Sequence, residues 1–357
     1  MSGFLAHNNH YRRLGNMIHE PLKTIGFVNS HKVGEKRIAL LPRDIIGIQH
    51  REALFFEEGY GSDLNISDTE YAALGCQVVP RDVALEQDII CDPKIGDSTF
   101  IKNLHPGQTL FGWVHAVQSK ETTDTLIANQ LSAYAWEDMY EDNRHSYWRN
   151  NELAGEAAVM HAYQLNGVMP YDTKVAILGR GNTARGAQRI LIGLGAEVRV
   201  YNRNQEKLFQ KEMTEFDVIV NAILWDTSRT DHLIYQTDLK RFKPGTLLID
   251  VSCDENGAIE TTIPTTLEDP TYEINGVIHY AVDHTPTIFY RSTSSAISRE
   301  TVKYIDDLVE SRPNAILENA LIFEHGQVID ERINQFQHRS TDDSSIETNE
   351  SDRTSMT

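Results

Sequence analysis

Lys94 and His115 each stand directly behind a short apolar run, DIIC at 88–91 and TLFGW at 109–113. A lysine and an imidazole at the ends of neighbouring strands could line one cleft. One would polarise a carbonyl while the other exchanges a proton, each tuned by its burial. Arg37, inside EKRIALLP at 35–42, carries a planar fork suited to a substrate carboxylate. Asp254 lies in a carboxylate-rich loop behind a fourth apolar run, TLLID at 246–250. Glu137 and Asp138, in AWEDM, are candidates for the ammonium group of a second substrate, or else members of a solvated loop.

The segment with the most information is KVAIL at 174–178, followed by Gly179, Arg180, Gly181, Asn182, Thr183 and Ala184. This is the GxGxxA form of the dinucleotide loop, placed after a strand-length run and before a helix-compatible stretch. Each position has its own reason. Gly179 allows a tight turn, Gly181 admits a pyrophosphate close to the backbone, and Ala184 lets the helix pack near the strand. The helix N-terminus adds unpaired N–H groups and a favourable dipole. NAD-binding versions place an Asp or Glu behind the second strand to hold the ribose 2′-hydroxyl. Here that strand ends in Tyr201, Asn202 and Arg203. With Arg180 nearby, Asn202 and Arg203 suit a 2′-phosphate, so NADP(H) is the expected cofactor.

The elements that must position these residues alternate. Strand candidates occur at 24–29, 174–178, 196–202, 217–224, 246–252 and 276–282. Helical spacing marks 151–167, 302–311 and 315–326, and Pro42 could open a helix. Strands interleaved with helices predict an α/β fold with a mainly parallel, doubly wound sheet around the nucleotide. Residues 1–23 read as an extension. From 338 to 357 the chain is polar and acidic, and it reads as a disordered tail.

Charge narrows the partners. Across 357 residues, 52 acidic against 33 basic side chains give a formal net charge of −19. Such a field opposes a nucleic-acid or anionic-membrane surface. No apolar run approaches the ~20 residues that span a bilayer, and the N-terminus lacks a secretory pattern. Cys76, Cys91 and Cys253 are scattered, which fits reduced thiols of a cytoplasmic protein rather than a disulfide framework or a metal site.

The order of EKRIALLP, Lys94, His115, the glycine loop, DVSCDENGAIETTIPT and HYAVDHTPTIFYRSTS resembles the alanine dehydrogenase and pyridine nucleotide transhydrogenase family over residues 24–307. The resemblance implies roles for single residues. Arg37 would bind the substrate carboxylate, Lys94 and His115 would be catalytic, and Asp254 would lie near the nicotinamide. It also implies a Rossmann-type domain (150–285) inserted into a discontinuous substrate domain (24–149 and 286–337), in a homo-oligomer. AYAWEDM, RNNELAGEAAV and GRGNTARG are similar to the opine-forming branch of that family. That branch joins pyruvate to the side-chain amine of ornithine or lysine and reduces the imine with NADPH. An ammonia-accepting alanine dehydrogenase, a saccharopine-type dehydrogenase and a non-catalytic NADP-binding sensor remain as alternatives.

Overall fold

The computed structural model describes residues 21–226, 229–254 and 257–339. The expected tail from 340 onward and most of the N-terminal extension lie outside the described residues. The strands in chain order are β1 (Ile25–Phe27), β2 (Leu54–Glu57), β3 (Gln77–Val79), β4 (Ile89–Cys91), β5 (Thr109–Gly112), β6 (Ser132–Ala135), β7 (Tyr140–Glu141), β8 (Arg144–His145), β9 (Lys174–Leu178), β10 (Glu197–Tyr201), β11 (Val218–Asn221), β12 (Leu247–Asp250), β13 (Thr271–Ile274), β14 (Val277–Tyr280), β15 (Leu321–Glu324) and β16 (Gln327–Val328).

They form two large sheets and one hairpin. The first sheet runs β16-β15-β6-β5-β4-β1-β2-β3, parallel from β6 to β3, with β15 and β16 antiparallel at one edge. The second runs β10-β9-β11-β12-β14-β13, parallel except for β13. Numbered from β9, its parallel strands follow the 2-1-3-4-5 order of a doubly wound sheet. Strand order therefore reverses at β9 in the second sheet, and at β1 in the first. Ligands bind in the crevice beyond the carboxyl ends of strands at such switch points. The central strands are buried on both faces, which is why KVAIL and LLID are nearly unbroken apolar runs.

One helix joins the sheets. Trp148–Asn166 begins three residues before the expected 151 and ends at Gly167, whose left-handed φ of 69° closes the C-terminus. It crosses the glycine-loop helix Asn182–Gly193 at almost backbone contact. A Cβ on Gly186 would lie 1.9 Å from the Glu152 carbonyl oxygen, and one on Gly155 would lie 2.0 Å from that of Thr183. Arg189 reinforces the crossing by pairing with Glu152 and Glu156 of the other helix. Gly186→Ala should therefore lower stability by about 1–3 kcal/mol or more, because neither backbone can give way. Gly193→Ala, on the same helix with nothing within 4 Å of the new carbon, should be neutral or stabilising. Thermal melts of the two variants decide this, and equal melting points would remove the crossing from the account.

Residues 315–326 differ from expectation. Only Ala315–Ala320 is helical; 321–324 is β15, paired antiparallel to β6. The run LIFE satisfies either period locally, and the open edge of the first sheet decides in favour of a strand. No helix among the described residues is long and apolar enough to cross a membrane.

Candidate active site

The carboxyl ends of the two sheets face one cavity of about 2210 Å³. Lys94 after β4, His115 after β5, and Glu137 and Asp138 after β6 line it from the first sheet. From the second come Gly179, Arg180, Gly181, Asn182 and Thr183 after β9, Asn202 and Arg203 after β10, and Asp254 after β12. Residues up to 160 positions apart in sequence (254 − 94) thus meet because parallel strands all end on the same side.

Lys94 is nearly buried, with Nζ 3.1 Å from Asp97 Oδ2. The same carboxylate receives Lys32 Nζ at 2.9 Å, and Lys32 reaches across to Asp283 Oδ2 at 2.6 Å. Asp283 Oδ1 accepts from His284 Nδ1 at 2.7 Å. A chain of alternating charge therefore runs from one sheet to the other. Burial would raise the Asp97 pKa, but the Lys94 and Lys32 ammonium groups outweigh it and hold the carboxyl below its ordinary value. Asp92 shapes this loop from below. It accepts the Lys94 N–H at 2.8 Å and the Ser98 hydroxyl at 2.6 Å, and full burial pushes its pKa up to about 7.

His115 has a left-handed backbone, φ 51°, with its side chain open to the cavity. The enclosing walls, and then the Lys94 charge, hold its imidazole below the ordinary value, so the ring is neutral at physiological pH. Glu137 Oε1 accepts the His115 N–H at 2.6 Å and Oε2 accepts the Val114 N–H at 3.2 Å. These bonds give Glu137 a role that the sequence did not suggest. Its carboxylate accepts from the backbone that carries His115, so it positions the histidine while still lining the cavity. Asp138 also reaches the cavity, but its Oδ2 is held by Arg332 Nη2 at 2.7 Å.

Arg37 also departs from expectation. Its side chain is 3% exposed, and Nε and Nη2 grip Glu35, whose side chain is 0% exposed. Nη1 donates to Asn150 Oδ1 at 2.9 Å, and the guanidinium lies 5.3 Å from the centre of the Trp113 ring. Trp113 lines the cavity and Arg37 does not. The fork expected to hold a substrate carboxylate is spent on a buried carboxylate of the chain itself.

On the nucleotide side, Gly179 has φ 109°, and a Cβ there would lie 2.7 Å from the Ala222 carbonyl oxygen. Gly181 precedes the helix with open space where its side chain would be, and Ala184 is buried beneath. A pyrophosphate fits that opening against the free N–H groups of the first helical turn. Asn182 Oδ1 accepts from Arg185, and Asn202 Oδ1 caps the turn 203–205 through the Asn204 N–H at 2.8 Å. This bond orients the Asn202 side chain and uses only its acceptor oxygen, so its Nδ2 donors remain for a phosphate on the cavity side. Arg180 and Arg203 line the cavity and make no ion pair among the described residues.

Asp250 organises the remaining loop. It accepts from Asn221, Thr262 and the N–H groups of Ser252 and Cys253. This turns Cys253 left-handed, φ 56°, and presents Asp254, whose pKa burial and then Asp250 push up to about 7. Glu255 and Asn256 lie outside the described residues. Sequence reasoning missed Lys32, Asp97, Asp283 and Arg332. Lys32 and Asp283 are 251 positions apart, and no local pattern marks either.

Comparisons with known proteins show the family and the fold. Family models for the alanine dehydrogenase/PNT N-terminal domain and C-terminal domain match residues 27–149 and 202–335. An N(5)-(carboxyethyl)ornithine synthase of Lactococcus lactis is 32% identical over 77% of this chain and 93% of its own. A protein of that name from Clostridium botulinum is 32% identical over 79% and 93%. An alanine dehydrogenase of Mycolicibacterium smegmatis is 25% identical over 80% and 87%. Among solved structures, an L-alanine dehydrogenase superposes with a TM-score of 0.74 at 23% identity, covering 88% of this chain and 99% of its own.

Proposed function

The chain belongs to the alanine dehydrogenase/PNT family, whose members include NAD(P)-dependent dehydrogenases, and within it we propose an NADPH-dependent reductive condensation of pyruvate with the side-chain amine of L-ornithine or L-lysine. The observation that carries this reading is the Lys94–His115 pair facing a glycine loop across one cavity. The name of the relatives at 32% identity, N(5)-(carboxyethyl)ornithine synthase, supports ornithine and a carboxyethyl group in that reading.

The amine attacks C2 of pyruvate, a C–N bond forms, and the adduct loses water to give an imine. The dinucleotide, when bound, supplies the hydride that reduces the imine. The balance is pyruvate, amine, NADPH and a proton in; carboxyethyl amino acid, NADP⁺ and water out. Lys94, the lining cation that follows β4, hydrogen-bonds the keto oxygen. His115 is neutral and shuttles the protons of addition and dehydration. Arg37 supports the wall behind Trp113. Asp254 ionises near neutrality and balances the positive charge of the iminium.

Two outcomes test these roles. Asp254 has a raised pKa of about 7, so it is protonated below that pH and ionised above. The kcat profile should rise through pH 7, and Asp254→Asn should flatten that limb; a limb unchanged in the variant would assign it to Glu137 or Asp92, which burial pushes to similar values. Arg203→Ala should raise the KM for NADPH about tenfold or more, the worth of a charge-assisted hydrogen bond, and leave that for NADH nearly unchanged. An unaltered NADPH KM would remove the 2′-phosphate from Arg203. The overall reaction is checked by mass spectrometry: incubation with pyruvate, L-ornithine and NADPH should yield a product equal to the two substrates less one oxygen atom.

A further inference from the structure

The hairpin β7–β8 has no part in the chemistry assigned so far, yet it forms one wall of the cavity through Tyr140, Asn143, Arg144 and His145. Its turn residues Asp142 and Asn143 both have positive φ, 48° and 62°, as a two-residue type I′ connection requires. The hairpin is firmly seated. His145 is buried, the Ser146 N–H donates to the Met139 carbonyl at 2.8 Å, and Tyr147 stacks on Trp136 with ring centres 4.4 Å apart.

The cations of the cavity wall sort themselves by partner. Lys94 is paired with Asp97, Arg185 with Glu152, Arg229 with Glu206 and Asp231, and Arg332 with Asp138 and Asp330. Among the described residues that leave three arginines without a carboxylate: Arg180, Arg203 and Arg144. The first two stand at the ends of β9 and β10, beside the glycine loop. Arg144 stands on the first-sheet side, with its guanidinium 4.1 Å from the centre of the Trp148 ring. Stacking fixes the plane of the fork and leaves its N–H edges for a planar anion. Glu141 lies opposite Arg144 across the hairpin but makes no ion pair with it, so the guanidinium on this cavity wall is open to an anion from outside.

We infer that Arg144 binds the α-carboxylate of the amino-acid substrate, and so distinguishes an amino acid from a plain amine. The inference rests on the proposed reaction. A diamino acid that presents its side-chain amine toward Lys94 and His115 carries a carboxylate at its far end. That carboxylate needs a cation away from both the reacting centre and the dinucleotide. Arg144 meets this need, with the Asn143 side chain beside it on the same wall.

The test compares L-ornithine with butane-1,4-diamine, which is ornithine without its carboxylate, in the wild type, Arg144→Met and Arg144→Lys. The wild type should prefer L-ornithine in kcat/KM by about 10- to 100-fold, the range for a hydrogen bond to a charged group. Arg144→Met should erase most of that preference, and Arg144→Lys should keep part of it. The KM values for pyruvate and NADPH should stay near wild type in both variants. A preference that persists in Arg144→Met, or equal losses toward both amines, overturns the assignment while leaving the proposed reaction intact. A wild type inert toward L-ornithine and L-lysine alike sinks the reaction and the assignment together.

Discussion

Replacing His115 by Asn should lower kcat by about 10²- to 10⁴-fold, the usual contribution of a positioned proton-transfer group, and leave folding and dinucleotide binding unchanged. Asn is chosen because His115 sits at φ 51°, a region that Asn tolerates better than most residues. The bonds that hold this backbone run from Glu137 to the N–H groups of Val114 and His115, so they survive the substitution. What is lost is a neutral, titratable nitrogen facing the cavity. An amide does not take and return a proton at neutral pH. Stopped-flow or steady-state turnover with saturating substrates measures the loss. A variant within about threefold of wild type would remove His115 from proton transfer.

Arg37→Ala should act first on the fold. Deleting one member of a buried pair leaves an uncompensated charge and costs about 3–5 kcal/mol, here at Glu35. Burial alone would raise the Glu35 pKa, but the Arg37 guanidinium outweighs it and keeps the carboxyl below its ordinary value. Without Arg37 the carboxylate faces only the more distant Lys94 charge, and Asn150 loses its donor. The double variant Arg37→Met with Glu35→Leu removes both charges and should recover much of the melting temperature. A single variant that melts like wild type but has a raised KM for pyruvate would return Arg37 to the substrate.

The contrast at Arg37 marks what the sequence reveals. The residue types and their placement after apolar runs located Lys94, His115, Asp254 and the glycine loop, because parallel strands deliver their following residues to one rim. β9 spans the expected 174–178, since a run buried on both faces leaves its mark in composition. Arg37 was found, but its direction was not. Whether a guanidinium points to a ligand or to Glu35 two residues away depends on backbone angles that no spacing encodes. Glu137 and Asn202 repeat the lesson. Each stands where expected and lines the cavity, and each also accepts a backbone N–H that no spacing encodes. The Lys32–Asp283 bridge was illegible for a different reason, since its partners come together only when the second sheet folds back against the first. Residues 315–326 were read with one period where the chain uses two, because the edge of a sheet supplied the partner that local sequence did not specify.

The central claim is that the cavity joins a keto acid to the side chain of an amino acid at the expense of NADPH. Its most direct test follows the loss of NADPH absorbance with pyruvate plus L-ornithine, L-lysine or ammonia, each repeated with NADH. The account predicts turnover with one or both amino acids, little with ammonia, and a preference for NADPH. Turnover with ammonia alone, or none with any amine while NADPH still binds, would contradict it.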